Sequence, residues 1–367
     1  MGAVARQWMI YGANGYTGQL VARLAVRRGE RPILAGRRAT AIQPLARELG
    51  LAHRIVSLGD RAALAEALHD VAGVAHCAGP FETTATPMVE ACLATRTHYL
   101  DVAGEIDVIE RIYARHDAAA RAGVVLLPGA GFDVVPTDCL AALLYDALPR
   151  ATTLELAFIA GGGLSPGTFK VSMRIFAQGT VRRLDGRLRT TPLGVPRRVV
   201  PFPSGPREVG AFRTGDLASA YRSTGIPNIT VYALVPRARG QIGRAAFGAM
   251  RAFLRYQPTR ALADYLASWR VSGPSPQRRA RTRCEIWAEV RDRAGASRSV
   301  TLVGPNGYEL TADAMLRSMR YLLAGTGPAG PIVPGAHTPA TAFGPGFLRE
   351  LDGVEISDVK VTRPAER

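Results

Sequence analysis

The stretch that decides the fold is Trp8-Met9-Ile10-Tyr11-Gly12-Ala13-Asn14-Gly15-Tyr16-Thr17-Gly18-Gln19-Leu20. A short apolar run stops at a glycine. Glycines then recur as GxxGxxG, and a segment with helical periodicity follows over Gln19–Arg28. This order predicts strand, tight turn, helix. One glycine permits the turn, one lets backbone approach an anion, and one lets the helix pack against the strand. The free N–H groups at the start of the helix then face a pyrophosphate. The spacing is a variant of the dinucleotide fingerprint GxGxxG.

Outward from this motif the pattern repeats. Pro32–Ala35, His53–Leu58, Gly73–Cys77, Tyr99–Val102 and Val124–Leu127 read as further strands. Ala41–Leu49, Ala62–Leu68, Pro87–Ala94 and Ile106–Ala122 read as the helices between them. Strands separated by helices require right-handed crossovers, which build a parallel sheet. The fold class is therefore α/β, opening with a Rossmann-like doubly wound parallel sheet. After Pro149 the character changes. Thr153–Ile159, Arg197–Pro203 and Asn228–Leu234 read as strands of a second sheet. Gln241–Arg270 reads as helical, broken near Pro258. Cys284–Asp292 and Ser297–Val303 read as a hairpin turning at Arg293–Ala296, followed by a helix over Thr311–Leu323. A second α/β domain, of sheet plus helices, thus follows the first.

The second strand ends in Gly36-Arg37-Arg38, where an NAD-selective protein would place an acidic residue for the ribose 2′-hydroxyl. Guanidinium groups there suit a 2′-phosphate, which they can grip bidentately. NADP(H) is the expected cofactor. Its expected contacts are Gly12, Asn14, Gly15, Tyr16, Thr17, Gly18, Arg37 and Arg38. To these are added Cys77, Ala78, Gly79, Pro80 and Phe81, which leave the fourth strand at the edge where ligands bind in such sheets. Cys77 as a nucleophile is disfavoured, because a strand-end cysteine is usually a small apolar residue.

Several segments occur together in one family's order: Gly12–Gly18, Ala35-Gly36-Arg37, Cys77–Phe81, His98–Glu105 and Gly131–Asp138. Gly273-Pro274-Ser275, Gly307-Tyr308 and Thr338–Ala342 follow. On these residues the chain resembles the saccharopine dehydrogenase-like oxidoreductases, especially their trans-acting enoyl reductase branch. The resemblance implies an NADP(H)-binding domain over 1–131 and a substrate and dimerisation domain over 132–335. It further implies a C-terminal helix and tail over 336–367 that return to the first domain. Two positions depart from the family. Asn14 stands where threonine is common, and Ser57-Leu58-Gly59 intervenes before Asp60, which leaves the adenine contacts open.

Composition narrows the classes. The chain has 367 residues, 47% hydrophobic and 21% charged, which is globular and excludes a disordered or fibrous chain. Its 46 basic and 30 acidic residues leave +16. This balance fits either an anionic partner or a general bias toward arginine, since Lys170 and Lys360 are the only lysines. The arginines are dispersed, and no RNA-binding motif or zinc-finger spacing occurs, which argues against nucleic acid. No targeting or membrane-spanning segment is read. Four cysteines without a CxxC pair suit a reducing cytoplasm. No metal is expected, because the six histidines are scattered. The segment 242–256 reads as a basic amphipathic helix. It is either a core helix with solvated arginines or a surface for a lipid-like or carrier-bound substrate.

Hydride transfer needs a double bond held against the nicotinamide and a proton source. Candidates are Tyr99, Asp101 and Glu105 from the fifth-strand motif, and Lys170. The two carboxylates are expected more to fix loops than to donate protons, and Asp138 to cap a helix. Lys170 stands out because an ammonium can lose a proton when partly buried and a guanidinium cannot. Gly163-Leu164-Ser165-Pro166-Gly167 matches the hydrolase GxSxG pattern. It fails as one, because Pro166 has no N–H for the oxyanion hole. The reading is an NADP(H)-dependent reductase of a C=C or C=N bond conjugated to a polarising group, and the resemblance implies enoyl reduction of a lipid- or polyketide-like small molecule. Imine reduction or amino-acid dehydrogenation, and a non-catalytic NADP(H) sensor that binds a partner, are the alternatives. A homodimer stays open.

Overall fold

The computed structural model describes residues 7–235 and 272–362. The readings over Gln241–Arg270, with the basic helix 242–256, lie outside these residues. The first sheet is built from β1 (Gln7–Tyr11), β2 (Ile33–Gly36), β3 (His53–Ile55), β4 (Val71–His76), β5 (His98–Asp101) and β6 (Val125–Leu127). A short strand at Gly335–Ala336 extends it, and the order from that strand is β6-β5-β4-β1-β2-β3. All its pairings are parallel. β2, β4 and β6 are buried at every residue, as continuous apolar strands covered on both faces should be. Strand order reverses between β1 and β4, which is the switch point at which such sheets bind ligands.

The helices alternate with the strands: α1 (Tyr16–Arg27), α2 (Ala39–Leu49), α3 (Arg61–Leu68), α4 (Phe81–Thr95), α5 (Ile106–Tyr113) and α6 (His116–Ala122). The single helix expected over Ile106–Ala122 is two. The break at Ala114–Arg115 contains no glycine or proline. Arg115 N–H donates to Ile112 O, so the last turn of α5 tightens and ends there.

α7 (Val135–Ala147) carries the chain into the second unit, which begins at Leu143. Its sheet holds β7 (Thr153–Ile159), β8 (Thr180–Leu184), β9 (Arg187–Thr191), β10 (Arg197–Phe202), β11 (Gly205–Ala211), β12 (Asn228–Ala233), β13 (Arg283–Arg291) and β14 (Ser297–Pro305). The main path is β10-β11-β12-β7-β13-β14, with β12 parallel to β7 and the other neighbours antiparallel. Val200, Phe202, Val209, Ala211, Tyr232 and Trp287 close around Ala157 as its core. Over Trp287 sits the Arg198 guanidinium, 4.6 Å from the ring and paired with Glu155 and Glu289. The helices of this unit are α8 (Pro166–Gln178), α9 (Asp216–Thr224) and α10 (Pro276–Arg281).

The described residues divide differently from the expected 1–131, 132–335 and 336–367. The first unit runs to Ala142 and resumes over Gly307–Val354, while the second ends at Asn306 and resumes at Glu355. The physical reason is α11 (Gly307–Ala324), whose buried Leu310, Met315, Met319 and Leu322 cover the first sheet. Gly73 on β4 makes room for it, since a Cβ there would stand 2.6 Å from the Met319 sulfur. α12 (Pro339–Phe343) also stays with the first unit. The tail beyond it does not, because Glu355–Ile356 and Lys360–Thr362 pair with β14. Asp138 is no cap of its own helix. It lies in the first turn of α7 and accepts the Ala340 N–H at the start of α12, at 2.8 Å.

Candidate active site

The turn between β1 and α1 is formed by backbone alone. The N–H groups of Gly12 and Ala13 donate to Ala35 O at 2.8 and 3.2 Å, and Gly15 N–H donates to Gly12 O at 2.9 Å. Gly12 has φ +79°, and a Cβ on it would lie 2.7 Å from Ala78. A Cβ on Gly18 would lie 2.5 Å from Gly12 O. These two close approaches account for two of the three motif glycines. Gly15 caps α1 without a side-chain hydrogen bond, and no acidic residue stands in the first turn. The start of the helix therefore offers positive potential to an anion. Asn14, Gly15, Tyr16 and Thr17 are half-buried around it, and Gln19 donates to Asn14 O at 3.0 Å.

Arg37 and Arg38 project from the end of β2, both exposed, and neither forms an ion pair among the described residues. Beside them Val56 N–H donates to Gly36 O, and Tyr11 Oη donates to Val56 O at 3.0 Å. Burial raises the Tyr11 phenol, against the opposing charge of Arg37. Asp60 is consumed as the cap of α3, accepting Ala63 N–H at 3.0 Å.

From β4 the loop Cys77–Pro80 emerges, with Gly79 and Pro80 exposed and Cys77 and Ala78 half-buried. Burial, then the Asp101 charge, pushes the Cys77 thiol up to about 12, so it is not a thiolate nucleophile at neutral pH. Phe81 turns inward. Its ring meets His76 edge-on at 5.4 Å and anchors the loop from below.

Tyr99 and Asp101 are both fully buried. Tyr99 Oη donates to Asp101 Oδ2 at 2.6 Å, while Oδ1 accepts the N–H groups of Ala103 and Gly129 at 2.9 and 2.8 Å. The pair thus pins the loops after β5 and β6. Glu105 differs. Its Oε2 accepts Gly104 N–H at 3.1 Å, and its buried Oε1 has no partner. Burial, with the charges of Asp101 and Glu82, pushes its carboxyl up to about 7. The exposed Asp133 lies across Gly104, where a Cβ would stand 3.1 Å from its Oδ2. Lys170, in the second unit, lies in α8 with its residue half-buried. Ser165 is buried as the cap of that helix, accepting Thr168 N–H at 3.2 Å.

Three further residues lie in this region of the first unit. His76 is fully buried, with both ring nitrogens unpartnered and Tyr11, Phe81 and Tyr99 around it. Tyr308 meets Tyr16 edge-on at 4.8 Å, and Thr311 accepts Phe132 N–H at 3.0 Å. The only signal for His76 was a polar residue ending an apolar strand. Gly307-Tyr308 was legible as a family segment and Thr311 as a helix start, but not their place beside the first sheet, because α11 returns to it from the far end of the sequence. No group of three or more His, Cys, Asp or Glu suited to a metal occurs among the described residues.

Comparison with known proteins identifies the first domain. The saccharopine dehydrogenase NADP binding domain matches residues 8–127. The chain is similar to proteins named saccharopine dehydrogenase-like oxidoreductase and trans-acting enoyl reductase. A rat protein of that name is 26% identical over 216 residues, 52% of this chain and 50% of its own. The chain thus spans about half the length of such mammalian relatives. A Mycobacterium tuberculosis protein named as a trans-acting enoyl reductase is 26% identical, with 97% of each chain covered. In fold, the chain is similar to the L-Glu-forming saccharopine dehydrogenase of Saccharomyces cerevisiae (TM-score 0.62, 13% identity, 97% and 100% covered). It is also similar to a homospermidine synthase of Legionella pneumophila (TM-score 0.64, 9% identity, 96% and 91% covered). Its cofactor is NADP(H). The residues fit that group: a glycine cradle with no room for side chains, an uncapped helix start, and two arginines at β2 without ion pairs among the described residues. Among the described residues, no helix is long and apolar enough to cross a membrane.

Proposed function

We propose that this oxidoreductase uses NADPH to reduce a carbon–carbon double bond conjugated to a carbonyl, in a lipid- or polyketide-like substrate. The observation that carries the cofactor half is the pair Arg37 and Arg38 at the end of β2. The enoyl half is supported by the relative named as an enoyl reductase, which aligns along nearly the whole chain. When bound, the cofactor supplies hydride. The chain's own residues bind its phosphates at α1, place its nicotinamide end beside Cys77–Pro80, and supply the proton that completes the reduction. Lys170 is the proposed cation that polarises the carbonyl. Four free thiols support a reducing compartment, which we take to be the cytoplasm. A carrier-bound substrate and a homodimer belong to the same proposal.

The test is consumption of NADPH by purified protein with enoyl thioesters, enones and cyclic imines. Turnover on the thioesters or enones is expected. Turnover only on imines would replace C=C by C=N chemistry. Tight NADPH binding without turnover on any class, together with a captured partner, would make the chain a sensor.

A further inference from the structure

At the carboxyl edge of the first sheet, the acidic groups divide by how fully they are used. Asp101 has both oxygens engaged, by Tyr99 and by two backbone N–H groups, and is sealed from solvent. A carboxylate so satisfied has no capacity left for a substrate. Glu105 sits four residues further on, where the chain leaves β5 and enters α5. Its carbonyl accepts Val108 and Ile109 N–H, both at 3.1 Å, so the start of α5 fixes its backbone. One carboxyl oxygen is held by Gly104 N–H, at 3.1 Å. The other is buried and bonded to nothing. A buried carboxyl oxygen without a partner is costly unless a proton or a ligand occupies it. The residue as a whole keeps a solvent-accessible flank. β5 is the immediate neighbour of β4, whose loop Cys77–Pro80 borders the nicotinamide end of the proposed cofactor site.

We infer that Glu105 is the general acid of this reductase, delivering a proton from Oε1 to the substrate carbon next to the carbonyl. The inference rests on the reductase reading. In the step, hydride from NADPH forms the new C–H bond at the far carbon of the double bond. The π electron pair takes the Glu105 proton at the near carbon, leaving a saturated substrate, NADP⁺ and the Glu105 carboxylate. A proton from water then restores the acid. The protonation state suits the task, because burial holds this carboxyl up at about 7, where the acid form is present at neutral pH. The acidic groups whose charges act on it are Asp101 on β5 and Glu82 on α4, and Asp133 lies beside the adjoining Gly104. Asp107 lies on its own helix, as does Arg111, whose Nη2 donates to Glu82 O at 3.4 Å. The acidic neighbours act in the same sense as burial and favour the protonated form.

Two measurements test this. The first needs no substrate: difference infrared spectroscopy of the full chain through neutral pH. A carboxyl band that titrates near pH 7 and vanishes in Glu105→Gln is expected. Absence of that band, or its persistence in the variant, overturns the inference. The second measures turnover. Glu105→Gln should lower kcat by about 10²-fold or more while NADPH affinity changes less than about twofold. Glu105→Asp should regain part of the rate. The wild-type rate should fall above pH 7, and the residual rate of Glu105→Gln should lose that limb. Asp133→Asn should keep it. Full activity in Glu105→Gln would remove Glu105 from the chemistry. An inactive wild type with the infrared band intact would instead sink the reductase reading.

Discussion

A Cβ on Gly12 would stand 2.7 Å from both the Cβ and the backbone N of Ala78. The turn after β1 and the loop after β4 therefore touch across the point where the strand order reverses. The two halves of the cofactor site are held together by a position that tolerates no side chain. Gly12 also adopts φ +79°, which strains any other residue. Gly12→Ala should lose about 2–4 kcal/mol, from left-handed strain and overpacking together. It should also weaken NADPH binding. Urea denaturation and fluorescence titration check the two effects, and unchanged stability would mean that the loops separate easily.

Cofactor choice is carried by the end of β2. Arg37 is exposed and has no ion pair among the described residues, which leaves its guanidinium available to a 2′-phosphate. Arg37→Asp places a carboxylate there instead. NADPH affinity should fall about 10- to 100-fold, the range for losing a charge-assisted hydrogen bond. NADH affinity should change little. Titration of both cofactors decides it, and equal loss for both would assign the selectivity elsewhere.

The parts of this molecule that were legible in its sequence are those set by local periodicity. β7 was read to the residue, over Thr153–Ile159, and the strand–turn–helix at Gly12–Gly18 was read from glycine spacing between an apolar run and a helical pattern. What escaped depends on contacts between distant residues. Nothing local marks the break at Ala114–Arg115, and nothing near Gly307 shows that its helix covers β4. The division of labour among Tyr99, Asp101 and Glu105 was equally illegible. All three carry polar groups in one short motif, and only the structure shows that Asp101 is satisfied while one Glu105 oxygen is not. The inward packing of Phe81 on His76 was not legible either, because it joins the end of β4 to the start of α4 through ring contact alone.

His76 gives a prediction about acid stability. Burial alone lowers its imidazole to about 3, from an ordinary value of 6.5. Between these values the unfolded chain binds a proton that the folded chain does not. Its contribution therefore destabilises the fold progressively as pH falls from 6.5 toward 3, by a few kcal/mol at the low end. His76→Phe retains an aromatic ring in the recess and removes two unpartnered nitrogens. Stability at pH 7 should rise by about 1 kcal/mol, and the acid-dependent loss should shrink. Urea denaturation at pH 7, 5 and 4 measures both. Parallel curves for the two proteins would show that the imidazole is satisfied in solution.

Lys170 tests the second unit's part in the chemistry. It is one of two lysines in an arginine-rich chain and lies in α8, shortly after the Gly-rich stretch that follows β7. If its ammonium polarises the substrate carbonyl, Lys170→Met should lower kcat about 10²-fold or more, since a positioned charge is strongest where water is excluded. NADPH affinity should remain within about twofold, because the cofactor fingerprint lies entirely in the first unit. Lys170→Arg separates the roles: a guanidinium keeps the charge and cannot release a proton near neutral pH. Recovery of most of the rate in Lys170→Arg is the expected result, since the proton is assigned to Glu105. Loss in both variants, with the pH limb of Glu105→Gln still present, would transfer the proton to Lys170. Full rate in Lys170→Met would return the lysine to an ordinary helix surface.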